Sequence, residues 1–209
     1  MNETVLIADD HPLFRQALAL AVSRVLPAAR VIEAGTLAGA ARALEDAAGL
    51  KLILLDLKMP GAVGYSGIAL LHAERPEVPI LVVSSAEGAA AAEEVRAFGA
   101  TGFLRKDSDL AVIEEAIARA LQAPARTAPA AAPQGDDAIR ETVAGLTPTQ
   151  LKVLLAVLDG QLNKQIAHSL GMSEATVKAH MTAIMRKLDV RNRTQAALVA
   201  RSLGLDLRH

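Results

Sequence analysis

The stretch Ala123–Gly135, APARTAPAAAPQG, constrains this chain most. It holds three prolines and almost no large apolar group, so it cannot build a core. Residues 1–122 and 143–209 must therefore each close a core of their own, with an Ala/Pro-rich linker over 123–142. As polyproline II, at roughly 3.1 Å per residue, the stretch would reach on the order of 40 Å, enough for large relative motion. The cores must be aliphatic, because the chain has 43 Ala against three Phe, one Tyr and no Trp. Aromatic-lined pockets and base-stacking platforms are thereby disfavoured. The absence of Cys rules out disulfides, thiolate zinc sites and cysteine nucleophiles.

The net charge of −1 conceals two opposite lobes. Residues 1–121 carry 11 Lys+Arg and 16 Asp+Glu, whereas residues 146–209 carry nine and four. A small basic lobe points to nucleic acid, and an acidic one offers a place for a divalent cation. No run approaches the roughly 20 apolar residues of a membrane span. Asp9-Asp10 interrupts the N-terminal segment before a signal-peptide hydrophobic region would finish. The expectation is a soluble, cytoplasmic protein without a membrane partner.

The first lobe alternates short apolar runs with helix-like stretches. Thr4–Ala8, Val31–Ala34, Leu52–Leu55, Ile80–Val83 and Gly102–Leu104 read as strands. Several are continuously apolar, as strands covered on both faces are. Pro12–Arg24, Thr36–Ala47, Ser66–Glu74, Ala89–Phe98 and Ser108–Gln122 read as the helices between them. Five βα units predict an α/β doubly wound, five-stranded parallel sheet, with ligands at the carboxyl ends of its strands.

The second lobe is predicted to be all-α with four helices. Thr147-Pro148-Thr149-Gln150 is a capping box with Pro at the first helical position, and Leu146 with Leu151 can staple it. Asn163 is expected to cap a short helix to Leu170, and Ser173 a longer one to about Leu188. A last helix is expected from about Arg193 to Leu203.

Asp9 and Asp10 follow the first strand, Asp56 the third, Ser84 ends the fourth, and Lys106 lies just past the fifth. A parallel sheet puts all of them at one edge. Three carboxylates repel, so the site wants a cation; oxygen donors with no suitably placed His favour Mg²⁺. Lys106 adds a positive charge and Ser84 a hydroxyl donor, a set able to neutralise phosphoryl oxygens during in-line transfer. Asp56 is then the nucleophile, forming an acyl phosphate. His11 is assigned no chemistry.

The runs D9-D10-H11-P12, D56-L57-K58-M59-P60-G61, S84-S85-A86-E87 and F98-G99-A100-T101-G102-F103-L104-R105-K106 resemble the flavodoxin-like receiver domain of two-component response regulators. The resemblance spans about residues 3–122. It implies that Asp56 accepts a phosphoryl group from a sensor histidine kinase. It implies that Asp10, Asp56 and the Lys58 backbone carbonyl hold Mg²⁺, with Asp9 contributing through water. Lys106 pairs with the phosphoryl group, Ser84 turns inward, and Phe103 swings into the vacated space. Phe103 stands where a Tyr is commoner, which removes any hydroxyl readout. Asp107 follows Lys106 where Pro is common, which suits a helix N-terminus. The loop Gly61–Gly67 is longer than the simplest versions; it either biases kinase choice or, the favoured reading, merely reaches the next helix.

On the third helix of the basic lobe, 100° steps gather Val177, Met181, Ile184 and Leu188 on a core face. Ala175, Lys178, Ala179, Thr182 and Arg186 lie opposite, flanked by Thr176, His180 and Lys187. Small residues and long cations on one face can enter a major groove closely. The runs L146-T147-P148-T149-Q150, N163-K164-Q165-I166-A167, S173-E174-A175-T176-V177-K178-A179-H180 and K187-L188-D189-V190-R191-N192-R193-T194-Q195-A196 resemble the LuxR-type helix-turn-helix of NarL/FixJ-like regulators. The resemblance makes 173–188 the recognition helix, with Lys178, Ala179 and Thr182 base-facing. Thr176, Lys187, Asn163 and Lys164 become phosphate contacts, and Arg186 is an outer cation able to meet phosphate. Ala196, Ala197, Val199, Ala200 and Leu203 form core or a dimer seam; the resemblance implies the seam in part.

The expected function is a response regulator transcription factor acting on double-stranded DNA as a homodimer. Phosphorylation of Asp56 by a sensor histidine kinase, with Mg²⁺, changes dimerisation or exposure of the DNA lobe. It is not an enzyme beyond its own phosphoryl transfer and dephosphorylation: a hydrolase acid two residues after Asp56 is missing, since Leu57 and Lys58 follow. The alternative is a constitutive DNA-binding regulator whose receiver only dimerises.

Overall fold

The computed structural model describes residues 3–62, 64–85, 89–123 and 142–205. The expected linker lies, but for its two ends, outside them, as do Ala86, Glu87 and residues 206–209.

The first lobe runs β1 (Thr4–Ala8), α1 (Pro12–Val25), β2 (Arg30–Ala34), α2 (Leu37–Asp46), β3 (Leu50–Asp56), α3 (Ser66–Glu74), β4 (Ile80–Ser84), α4 (Ala89–Ala97), β5 (Gly102–Arg105) and α5 (Leu110–Gln122). The strands pair in parallel in the order β2-β1-β3-β4-β5. That is the predicted doubly wound sheet. Side-chain alternation divides it into two layers. Val5, Ile7, Leu52, Leu54, Leu81 and Val83 face one side and pack with Leu18 and Val22 of α1 and Ile113 and Ile117 of α5. Leu6, Ile53, Leu55, Ile80 and Val82 face the other, against α2, α3 and α4. β1 and β4 are buried along their whole lengths, which explains their apolar sequences, broken only by Thr4 and Ser84 at the ends.

The second lobe holds α6 (Pro148–Leu158), α7 (Asn163–Ser169), α8 (Glu174–Lys187) and α9 (Arg193–Ser202). Thr147 caps α6 with a reciprocal bond to Gln150, and Ser173 Oγ accepts from Thr176 N–H at α8. Asn163 is not a cap. It is the first residue of α7, and Gln165 instead accepts from the Leu162 N–H at 2.7 Å. The Asn163 carboxamide is engaged elsewhere, accepting from Arg193 at 3.0 Å. Asp107 likewise does not open α5: Asp109 stands at that position, and Asp107 accepts from Arg105 at 2.8 Å.

The two lobes touch. α3 packs on α6, and one apolar cluster runs from the α2–α4 face of the sheet into the helical lobe. Lys152 pairs with Glu74 at 2.6 Å, and the Tyr65 N–H donates to the Gly204 carbonyl at 3.3 Å.

Candidate functional site

Each acidic residue reaches the sheet edge through its own strand. β1 ends at Ala8, so Asp9 and Asp10 emerge at its carboxyl end; Asp56 closes β3, in register with Val83 of β4. Ser84 ends β4 beside Arg105 of β5, and the Lys106 N–H bonds the Ser84 carbonyl at 3.0 Å. These pairings bring four distant segments into one pocket. Asp9 and Asp56 are 1% and 2% exposed, and Ser84 is fully buried.

Lys106 is the pocket's cation. Its ammonium lies 2.7 Å from Asp9 Oδ2 and 2.8 Å from Asp56 Oδ2, and 5.0 Å from the centre of the Phe14 ring. Asp56 Oδ1 accepts from the Lys58 N–H at 3.1 Å. Arg15 holds the Asp9 carbonyl at 2.8 Å while bonding Glu33, which ties the β1 loop to β2. Sequence reasoning missed Arg15; its only signal was a cation one turn into the helix after the acidic pair. Phe103 sits at mid-β5, opposite Val82, packed against the α2–α4 side of the core.

Burial by itself lowers the Lys106 pKa, but hydrogen bonds to Asp56 and Asp9 outweigh it and raise the value above the ordinary 10.5. The folded state thus holds that proton more tightly than the unfolded chain. Its stabilisation is complete below about pH 10.4 and is lost as pH climbs through the raised folded value. Lys106→Met should cost about 3 kcal/mol at pH 7, because it leaves two buried carboxylates facing each other without a cation. In urea denaturation the gap from the unaltered protein should close as pH rises past the raised folded value. A gap that persists there would mean that packing, not charge, sets it.

The pocket fits a divalent cation. All its donors but one are hard oxygens, and Asp10 Oδ1 is buried with the His11 ring nitrogen 2.6 Å from it. His11, assigned no chemistry from its place in the chain, stands in the same cluster: one ligand atom each of Asp9, Asp10, His11 and Asp56 lies within 4.8 Å of the others. The expected ligand set of Asp9, Asp10, Asp56 and the Lys58 carbonyl leaves this ring out, although it stands beside them. An N–H···O bond of 2.7 Å from the His11 backbone to Asp9 Oδ1 turns the chain back over the carboxylates.

In the helical lobe Val177, Met181, Ile184 and Leu188 are buried, and Lys178, Ala179, Thr182, Thr176 and Arg186 are exposed. Among the described residues no hydrogen bond or ion pair holds the side chain of Lys178, Lys164 or Arg186. Thr182 donates back to the Lys178 carbonyl at 3.0 Å. Lys187 differs: its ammonium bonds the Gly145 carbonyl at 3.1 Å and Gln150 at 3.0 Å, clamping the end of α8 to the start of α6. Asn163 is half-buried under Arg193. Ala196, Ala200 and Leu203 are core, while Leu198 of α9 is 60% exposed.

Residues 5–118 match the model of the response regulator receiver domain, and residues 144–200 that of the bacterial regulatory proteins of the luxR family. The chain belongs to the NarL/FixJ-type response regulators. It is 38% identical to the glycerol metabolism activator of Pseudomonas putida over 94% of each chain. With the nitrate/nitrite response regulator protein NarP of Escherichia coli it shares 32% over 93% of each. In fold it resembles the Salmonella typhimurium RcsB response regulator, at a TM-score of 0.53 and 22% identity, over 96% of this chain and 98% of that one. This regulator is therefore a transcription factor that joins a receiver to a DNA-binding lobe. No helix among its described residues is long and apolar enough to cross a membrane.

Proposed function

We propose that this response regulator is switched by phosphorylation of Asp56 in a cation-dependent reaction with a sensor histidine kinase. In this reading it binds double-stranded DNA as a homodimer through α8. The receiver comprises residues 1–122, the linker 123–142 and the DNA lobe 143–209. The observation that carries the reading is the Lys106 ammonium within 2.8 Å of both Asp9 and Asp56 at one sheet edge. Lys106 supplies charge ready to meet phosphoryl oxygens. Asp56 attacks the phosphorus of a phosphohistidine; the new O–P bond forms as the P–N bond breaks, and the imidazole leaves with the electron pair and takes up a proton. Asp9, Asp10, Asp56 and the Lys58 carbonyl would hold Mg²⁺, which when bound adds positive charge against the transferring group. Ser84 and Phe103 report the new charge to the α4 face. In the DNA lobe Lys178, Ala179 and Thr182 address base edges, and Thr176, Arg186, Lys187, Asn163 and Lys164 address phosphates. Lys187 and Asn163 would first exchange their present partners for phosphate.

The docked lobe leaves the α8 face exposed, so docking restrains how two lobes pair rather than covering the base-reading surface. Phosphorylation frees them to pair on two half-sites, raising the effective concentration of the second lobe. Selection from random DNA duplexes at fixed salt, with acetyl phosphate and Mg²⁺, tests this. A two-fold symmetric site should be enriched with the donor and not by Asp56→Asn. Equal enrichment without the donor would favour a constitutive regulator whose receiver only dimerises.

A further inference from the structure

We propose that His11 is a metal ligand, an imidazole donor that raises the affinity of the acidic site for borderline transition ions above what its oxygen donors give. The inference rests on reading this pocket as a cation site, and adds to it a residue and a metal preference. Three observations carry it. First, His11 stands at the N-cap of α1, yet its side chain makes no capping bond, so the helix does not use the imidazole. Second, Nδ1 lies 2.6 Å from Asp10 Oδ1 and 3.3 Å from Asp9 Oδ1, but Asp10 Oδ1 has no hydrogen bond of acceptable angle. One ligand atom each of Asp9, Asp10, His11 and Asp56 lies within 4.8 Å of the others, so the nitrogen and the oxygens can share one ion once the His11–Asp10 pair opens. Third, the position is built: the His11 N–H is anchored on Asp9, and Pro12 fixes the next residue in the helix. The side chain is 66% exposed, so it forms the mouth of the pocket and can adjust to an entering ion without disturbing the core.

The chemistry follows from the donor set. Mg²⁺ takes oxygen ligands and keeps its waters, so a nitrogen at the mouth adds little for it. Imidazole suits borderline ions such as Co²⁺, Ni²⁺ and Zn²⁺, which it binds far better than Mg²⁺. A site of three carboxylates and one imidazole should therefore bind Co²⁺ more tightly than its carboxylates alone would, and His11 should carry that increment.

Calorimetric titration of the full chain with Mg²⁺ and with Co²⁺, alongside His11→Ala and Asp10→Asn, tests the assignment. Pulsed electron paramagnetic resonance of bound Mn²⁺ supplies a direct signature, a ¹⁴N coupling from the ligating ring. The expected result is a loss of about tenfold or more in Co²⁺ affinity in His11→Ala, a Mg²⁺ affinity within about twofold, and disappearance of the ¹⁴N coupling. Asp10→Asn should weaken both ions. If Asp10→Asn weakens both while His11→Ala changes neither Co²⁺ binding nor the coupling, the ligand role of His11 is overturned and the cation site stands. If Asp10→Asn weakens neither, the acidic pocket is not the cation site, and the reading beneath the proposal falls with it.

Discussion

Ala179→Glu is expected to weaken binding to the selected DNA site by about 100-fold or more, while leaving phosphorylation of Asp56 unchanged. Ala179 is exposed on α8, between Lys178 and the next turn at Thr182. A small side chain there lets the helix backbone approach base edges; a glutamate adds bulk and sets a carboxylate against the phosphates. The substitution replaces one good helix former with another on the solvent side, so the lobe's stability should move by less than about 0.5 kcal/mol. Lys178→Ala should act differently, costing about 1–3 kcal/mol if the ammonium reaches a guanine edge. Its plot of log affinity against log salt would then keep the original slope, whereas a phosphate contact would lower the slope by about one. Fluorescence anisotropy with a labelled duplex at four salt concentrations separates these cases. Ala179→Glu binding as tightly as the unaltered protein would remove α8 from the interface altogether.

Much of this was legible because the fold writes itself in periods. The alternation of Val5 and Ile7 with Leu6 and Ala8 is hidden, since every position of β1 is buried, but the unbroken apolar run is itself the mark of a strand covered on both sides. Once parallel order was inferred, the carboxyl-edge rule collected Asp9, Asp10, Asp56, Ser84 and Lys106 without any distance. The 100° steps placed Val177, Met181 and Ile184 inward because a helix face is set by angle alone. What escaped were contacts that no local period encodes. His11 became part of the acidic cluster through a turn closed by its own backbone N–H. Arg193 took the Asn163 carboxamide from 30 residues away, so the residue best suited to cap α7 was already engaged. Lys187 looked like a flanking cation, yet its ammonium closes onto Gly145 and Gln150. Long polar side chains choose among partners in three dimensions, and sequence spacing ranks none of them.

The loop before α3 is the other such case, and it sets the second large expected effect: Gly64→Ala should undock the lobes. Read as a mere connection, the loop in fact carries the contact to the DNA lobe. The Tyr65 N–H bonds the Gly204 carbonyl, and a methyl group on Gly64 would fall 1.7 Å from that same oxygen. Gly204 has φ +78°, and a side chain there would meet the Tyr65 ring at 3.2 Å, so both glycines are needed for the close approach. The Tyr65 ring stacks on Phe98, with centroids 5.2 Å apart, and its hydroxyl bonds Glu94 of α4. One residue therefore touches both the helix expected to move on phosphorylation and the lobe to be released. A compact chain of 209 residues has a radius of gyration of about 17 Å. Lobes parted on an extended linker should exceed about 22 Å, because the linker alone can reach on the order of 40 Å. Small-angle X-ray scattering should give the low value for the unphosphorylated protein and the high one for Gly64→Ala without any phosphodonor. Because Gly64 sits at φ +53°, the substitution also strains its own loop, so a second variant is needed. Lys152→Glu opposes Glu74 with a like charge and should favour opening by only about 1 kcal/mol, a partly exposed pair. Reversing both charges, Lys152→Glu with Glu74→Lys, should restore the compact state. Donor-independent binding to the selected DNA should rise in the opened variants and fall back in the charge swap. Scattering that stays compact in both Gly64→Ala and Lys152→Glu would show that these contacts do not hold the lobes together, and the restraint would have to be sought in the α3–α6 packing.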